Sequence, residues 1–250
     1  DPARLWTTNV AGTRRVLDAV SAAGVPSLVY ASSIGAYRPA PEGVWVDETW
    51  PVEACPPLFF PRHKAVVEWM LDDFEAAHPH TRVVRLRPAL VFKREAAQGI
   101  RTLFMGRAVP GRLLPSLPAF PVVPGLAFQV VHTDDVASAF HTAVASEVAG
   151  AFNLAADPVL DTADVASAAS ARPIHTPAWL LRGAVSAAWY LRAQPTPAGW
   201  IDMAMSVPRM NTVRAITMLD WKPTHSAHET LEELVDGLGR GIGFPTPALA

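Results

Sequence analysis

The chain holds one cysteine, Cys55, in 250 residues. That excludes a disulfide framework and a cysteine-built zinc site within one chain, and no metal is expected. Lysine is almost as scarce: of 21 basic residues only Lys64, Lys93 and Lys222 are lysine. Each therefore carries more chemical meaning than usual, because ammonium and guanidinium groups are not interchangeable. Charge is sparse at 18%, against roughly 25% in an average soluble domain, and it nets to −2. No basic field exists to hold a phosphate backbone, so nucleic acid is not an expected partner. No apolar run approaches the ~18 residues of a membrane span. The nearest candidate, Trp179 to Leu191, is short and carries Arg182. What the chain has in quantity is apolar residues, 50%, and proline, 24 residues. Such apolar content excludes a disordered chain, and the length suffices for a large core. A soluble, cytoplasmic globular protein with no membrane partner is expected.

Local patterns give the elements. Asp1-Pro2 is a helix opening, a capping carboxylate followed by proline in the first turn. Trp6, Val10, Thr13, Val16, Leu17 and Val20 follow helical spacing until Gly24-Val25-Pro26. Ser27 to Ala31 is a compact apolar run without alternation, which predicts a strand buried on both faces. Residues 38–58 form a loop rich in proline and acid. Phe60, Lys64, Val67, Leu71 and Phe74 repeat the helical period up to His78, and Pro79 ends it. Arg82 to Leu86 and Ala151 to Ala155 are two further buried strands, the latter fed by a helix beginning after Thr133-Asp134-Asp135. Apolar strands alternating with amphipathic helices predict parallel βαβ units with right-handed crossovers. The fold class is α/β, a Rossmann-type doubly wound sheet with a small, mainly helical C-terminal region. Because the order is helix, strand, helix, strand, the first strands of the pattern are expected to be missing.

These residues resemble the extended short-chain dehydrogenase/reductase family, in its NAD-dependent epimerase/dehydratase group. The resemblance is carried by Asn9-Val-Ala-Gly12-Thr13, Leu28-Val-Tyr-Ala-Ser-Ser33-Ile-Gly-Ala-Tyr37 and His63-Lys64-Ala65-Val-Val-Glu68. Arg85-Leu-Arg-Pro88, Val131-His132-Thr-Asp134-Asp135-Val-Ala137 and Phe152-Asn153-Leu-Ala continue it in the family's order. Leu219-Asp-Trp221-Lys-Pro223 is similar to the family's Leu-Gly-Trp-x-Pro. The resemblance implies an epimerase, dehydratase or reductase acting on a hydroxyl or carbonyl carbon of a small molecule, with nucleotide sugars the commonest class. It implies NAD or NADP as cofactor and allows a homodimer. Residues 1–90 and 126–171 would be a partial NAD(P)-binding Rossmann domain, 91–125 and 172–238 a substrate-binding region, and 239–250 a flexible tail. The family's Gly-rich turn, whose backbone amides hold a pyrophosphate, has no counterpart here. Gly106, Gly111 and Gly125 are scattered, and Gly237-Leu-Gly239-Arg-Gly-Ile-Gly243 follows a helix. The missing segment would span on the order of 70 residues.

The family's chemistry rests on a Ser, a Tyr and a Lys, the last two four residues apart on one helix face. The ammonium favours the phenolate and draws the tyrosine down from about 10, so the phenol can exchange a proton with substrate while hydride moves to or from nicotinamide. The resemblance places Ser33 and Lys64 in these roles and Phe60 at the tyrosine position. It places Thr8, Ala31, Ser32, Lys64, Arg87 and Pro88 at the cofactor. Phenylalanine has no ionisable proton. Three readings stand: a non-catalytic nucleotide-binding or scaffold protein, an enzyme in which another group replaces the phenol, or a damaged gene fragment. Tyr37, a structural aromatic, and His63, about 100° around the helix from Lys64, are weak substitutes.

Four other features have plainer readings. Thr133 is expected to cap its helix while Asp134 and Asp135 favour its positive end, in preference to a metal role with His132. Pro115, Pro118, Pro121 and Pro124 fit a packed polyproline-like loop. Trp179, Trp189 and Tyr190 are expected in a core or lid. Arg87 is equally suited to the cofactor and to pairing with an acid.

Overall fold

The computed structural model describes residues 2–53, 58–105 and 117–244. Cys55, Gly106, Gly111, Pro115 and residues 245–250 of the expected tail lie outside them. The chain begins with α1 (Pro2–Trp6), a π-helical turn (Thr7–Ala11), α2 (Gly12–Ala22) and β1 (Ser27–Ala31), then a 3-10 turn (Ile34–Ala36). It continues through β2 (Trp45–Val46), α3 (Phe59–Ala77), β3 (Arg82–Pro88), β4 (Leu90–Phe92) and α4 (Ala97–Met105). Next come β5 (Ala119–Val122), β6 (Ala127–His132), α5 (Thr133–Ala145), β7 (Gly150–Leu154), β8 (Ala156–Asp161) and α6 (Thr162–Ala168). The last elements are β9 (Arg172–His175), α7 (Ala178–Tyr190), α8 (Gly199–Ser206), β10 (Arg209–Met210), α9 (Val213–Met218) and α10 (Ala227–Arg240).

The chain divides into two compact units. The first comprises Asp1–Ala89, Asp134–Ala155 and Ser206–Lys222, the second Leu90–Thr133, Ala156–Met205 and Pro223–Ala250. These bounds differ from the expected segments for a pairing reason: β6 takes β4 and β8 as its neighbours, and β10 returns to pair with β2.

In the first unit a parallel sheet runs β1-β3-β7, with Val29 opposite Val84 and Leu86 opposite Phe152. Helices α2 and α3 cover it through Leu17, Val20, Val67, Leu71 and Phe74, which bury against Val83. Leu28 and Tyr30 pack on the same cluster. The alternation of apolar i, i+3, i+4 positions on α3 with a continuous apolar β3 is what the sequence encodes. Strand β1 is only half-buried and its Ala31 is exposed, not buried on both faces as expected. It pairs with β3 alone among the described residues, so its outer edge has no covering strand. The unit closes at its C-terminal segment with Trp221, whose indole donates to Asp135 O (2.8 Å). Asp220, where the family carries glycine, adopts φ +49°, a left-handed conformation that Asp tolerates better than most residues.

In the second unit β4 and β6 are parallel and β6 and β8 antiparallel, while β5 and β9 form a separate parallel pair. The expected polyproline-like loop is therefore strand over Ala119–Val122, with Pro121 opposite Ile174. Two-stranded pairing leaves room for a proline that has no amide to donate. The core gathers Val130, Leu160, Leu231 and Val235. Residues 239–242, expected to begin a flexible tail, instead complete α10 and dock. Gly241 ends the helix at φ +68°, Ile242 N bonds Gly237 O (2.9 Å), and Gln98 N bonds Ile242 O (3.2 Å). A Cβ on Gly237 would meet the Arg94 carbonyl oxygen, so glycine is required there for close approach. Trp179 and Tyr190 are exposed, and no residue of α7 is buried. Apolar residues at 179–181 and 189–191 point around the whole circumference, so packing on one side cannot cover them.

Candidate active site around Lys64

Lys64 projects from the second turn of α3 toward the end of β1. Its Nζ donates to Ala31 O (2.5 Å) and lies 5.0 Å from the centre of the Tyr30 ring and 5.6 Å from that of Phe60. An ammonium over two aromatic faces is favourable, at about 0.5–1 kcal/mol each when exposed. Burial holds the Lys64 ammonium below its usual range, and the nearby Glu68 charge opposes that shift. The side chain helps line a cavity of about 230 Å³ with Thr8, Asn9, Thr13, Tyr30, Phe60, His63 and Val67. Asn9, Thr8 and Thr13 come from the π-helical turn and the first turn of α2. Widening that turn aims consecutive polar residues at one place, as such bulges do at functional sites.

His63 lines the same cavity, although adjacent helix positions diverge by about 100°. Phe60 precedes His63 by three positions and Lys64 by four, so both stand one turn beyond it and one cavity reaches all three. His63 is buried, accepts at Nδ1 from Asn9 Nδ2 (3.3 Å) and meets the Trp6 ring edge-on. Burial, with the Arg62 charge assisting, depresses its pKa and favours the neutral ring.

Behind Lys64 stands a buried ionic network. Glu68 is fully buried. It receives Ser32 Oγ (2.5 Å), Arg87 Nε and Nη2 (both 2.9 Å) and Arg85 Nη1 (3.2 Å). Burial alone would raise its pKa, but the Arg87 hydrogen bonds and charge, Ser32 and Arg85 outweigh burial and hold the carboxyl below its usual range. Arg85 also pairs with Asp72 and Glu75. Arg87 continues through its Nη1 to Tyr37 Oη (3.0 Å) and Glu48 O (3.0 Å), and Tyr37 donates to Asn153 Oδ1 (2.6 Å). Of the two uses foreseen for Arg87, its side chain serves the acid. Tyr37 is buried, and burial pushes its hydroxyl up to about 12. Tyr30 is pushed up further by burial and by the Glu68 charge. Neither phenol is set to ionise near neutral pH.

The other named residues fall around this centre. Ser32 is buried against Glu68, and its amide donates to Leu86 O (2.8 Å). Ser33 caps the 3-10 turn, its Oγ accepting from Gly35 N (3.1 Å), and α3 packs on that turn. Thr8 is exposed at the cavity, and Pro88 ends β3 opposite Leu154. In the sequence Glu68 stands out only as the last residue of the His63–Glu68 motif. Its role as the hub of four hydrogen bonds depends on register between α3 and β3, which residue spacing alone does not give. Thr133 does not cap α5 with its side chain: the hydroxyl donates to Phe92 O (3.1 Å). His132 stacks on His225 with ring centres 3.9 Å apart.

Residues 1–155 match the NAD dependent epimerase/dehydratase family. The chain belongs to that family. No curated protein matches the sequence. Among solved structures, this epimerase/dehydratase chain is similar to the UDP-glucose 4-epimerase of Thermus thermophilus in complex with NAD. The TM-score is 0.65 and the identity 22%, over 94% of this chain and 71% of that one. It is similar to the UDP-glucose 4-epimerase of Thermotoga maritima with UDP-glucose, at TM-score 0.69 and 18% identity, over 96% and 72%. It is also similar to RMD from Pseudomonas aeruginosa complexed with NADPH, at TM-score 0.64 and 18% identity, over 96% and 76%. At these identities the likeness establishes the fold, a Rossmann-type α/β architecture. Among the described residues no helix is long and apolar enough to cross a membrane.

Proposed function

We propose that this epimerase/dehydratase family member holds NAD or NADP against Lys64. Its substrate would be a hydroxyl or carbonyl carbon of a small molecule, of the nucleotide-sugar class. The observation that carries the reading is the Lys64 ammonium, fixed on Ala31 O and facing a cavity that Thr8, Asn9 and Thr13 also line. The family supports a nicotinamide cofactor, and the NAD, NADPH and UDP-glucose of the similar structures support the ligand classes.

The residues present suit the ribose–nicotinamide part of such a cofactor. Lys64 supplies a cation and hydrogen-bond donors, Thr8 and Asn9 supply polar groups, and Tyr30 and Phe60 supply flat apolar faces. The described residues contain no Gly-rich strand-to-helix turn to hold a pyrophosphate. When bound, the nicotinamide supplies hydride transfer. Ser33 orients the substrate oxygen. Ala31 holds the ammonium, and Ser32, Arg87 and Pro88 position the end of β1 and β3 around it. Phe60 leaves the substrate hydroxyl without a proton partner, so turnover is slow. A non-catalytic nucleotide-binding protein is the second reading, favoured by one observation: neither Tyr30 nor Tyr37 is poised to replace the absent phenol.

Saturation-transfer NMR with NAD and NADP tests the reading on the 250-residue chain. Nicotinamide-ribose signals are expected with the wild type and lost in Lys64→Met, with circular dichroism unchanged. Equal signals in the two proteins would overturn the placement at Lys64.

A further inference from the structure

The second unit contains a cavity of about 330 Å³ that the Lys64 chemistry does not use. Its wall is built from Phe92, Phe120 and Phe128 on the strands and Leu231, Leu234 and Leu238 on one face of α10. Spacing of i, i+3 and i+7 on α10 puts those three leucines in a row. The one charged residue of the lining, Arg101, bonds Gln98 Oε1 through its Nε (2.8 Å) and gives the wall its aliphatic stem. Almost no polar surface reaches the interior. Phe92, Phe120, Phe128, Leu231 and Val235 belong at once to this lining and to the core of the unit. The space is thus a cleft that runs into a hydrophobic core and opens at the surface beside Leu90, which is 39% exposed.

We infer that this cavity is a binding site for a small uncharged hydrocarbon body, its volume lying near the lower end for small-molecule sites. Water is a poor occupant, because it needs two to four polar partners and this lining offers almost none. A sugar or phosphate is excluded for the same reason: its hydroxyls or charges would be desolvated with nothing to bond. A flat aromatic or compact aliphatic molecule loses nothing on entry and gains contact with three phenyl rings. The inference does not rest on the nucleotide reading, since every lining residue belongs to the second unit and Lys64 to the first.

The test uses the full 250-residue chain with methyl-labelled leucine and valine, titrated with naphthalene and, separately, with 2-naphthoate. Naphthalene is expected to shift the Leu231, Leu234 and Val165 methyl signals and to raise the melting temperature, as any ligand of the folded state does. The charged analogue is expected to bind at least about tenfold more weakly. Two variants that fill the space, Ala204→Leu and Val165→Leu, should each weaken naphthalene by about tenfold while keeping the wild-type circular dichroism. Equal affinity for 2-naphthoate, unchanged binding in both folded variants, or no methyl shift would each overturn the site.

Discussion

The Lys64 ammonium stands 5.6 Å from the centre of the Phe60 ring, one helical turn away, and 5.0 Å from that of the Tyr30 ring. A phenol at residue 60 would share this neighbourhood and feel the charge. A phenyl ring offers only its face. Lys64 is therefore held by Ala31 O and two aromatic surfaces, with no phenol at residue 60 to tune.

Acid should destabilise the protein through Glu68. Its folded pKa is depressed by Arg87, Ser32 and Arg85 against the effect of burial. A depressed carboxylate contributes stability that is present above the unfolded value of about 4.3 and is lost as pH falls through the lower folded value. Denaturant midpoints should fall as pH drops below about 4.3, and Glu68→Gln should flatten that slope. The same variant should cost about 3–5 kcal/mol at pH 7, because two buried guanidinium groups lose a shared partner. An unchanged midpoint in Glu68→Gln would remove the network from the stability of the first unit.

Asp220 gives a cleaner backbone test. Its φ of +49° suits glycine and strains a β-branched residue. Asp220→Gly should be neutral or gain up to about 1 kcal/mol, and Asp220→Val should lose about 1–2 kcal/mol. Chemical denaturation measures both. Equal stability for valine and glycine would mean that the left-handed turn is not kept in solution.

The open edge of β1 predicts self-association of the 250-residue chain. Leu28 and Tyr30 face the core, so Val29 lies on the opposite face, in a strand without lysine or proline to guard it. Sedimentation velocity at tens of micromolar should show species larger than a monomer, and Val29→Lys should reduce them. If Trp69→Glu on the exposed side of α3 abolishes association and Val29→Lys does not, the contact runs through the helix face. A single monomeric species in the wild type contradicts the prediction outright.

Much of the first unit is legible in residue spacing. Ser27 to Ala31 is a strand at those limits, α3 begins one residue before the first apolar position of the expected helix and ends one residue before its expected limit, and Arg82 opens β3 as read. These elements are fixed by local apolar period and by the proline and glycine that stop them. What was not legible depends on partners distant in sequence. The half-burial of β1 follows from having one neighbour, the strand over Ala119–Val122 from pairing with Arg172–His175, and the docking of residues 239–242 from Gln98 and Arg94. At the site, Phe60, His63 and Lys64 were visible as one helix segment. That His63 shares their cavity was not, because the angle between adjacent helix positions says nothing about how far a cavity extends.

The proposed chemistry turns on the phenol that residue 60 does not carry. Its most direct measurement is NAD(P)-dependent hydride transfer by wild type, Phe60→Tyr and Phe60→Tyr with Lys64→Met, on a panel of nucleotide sugars and simple ketones. Phe60→Tyr should raise turnover by a factor on the order of 10²–10⁴, the usual contribution of a placed acid/base. The gain should vanish in the double variant, where the phenol loses its charge partner. A wild type that already turns over as fast as Phe60→Tyr would contradict the account, because another group would then be moving the proton.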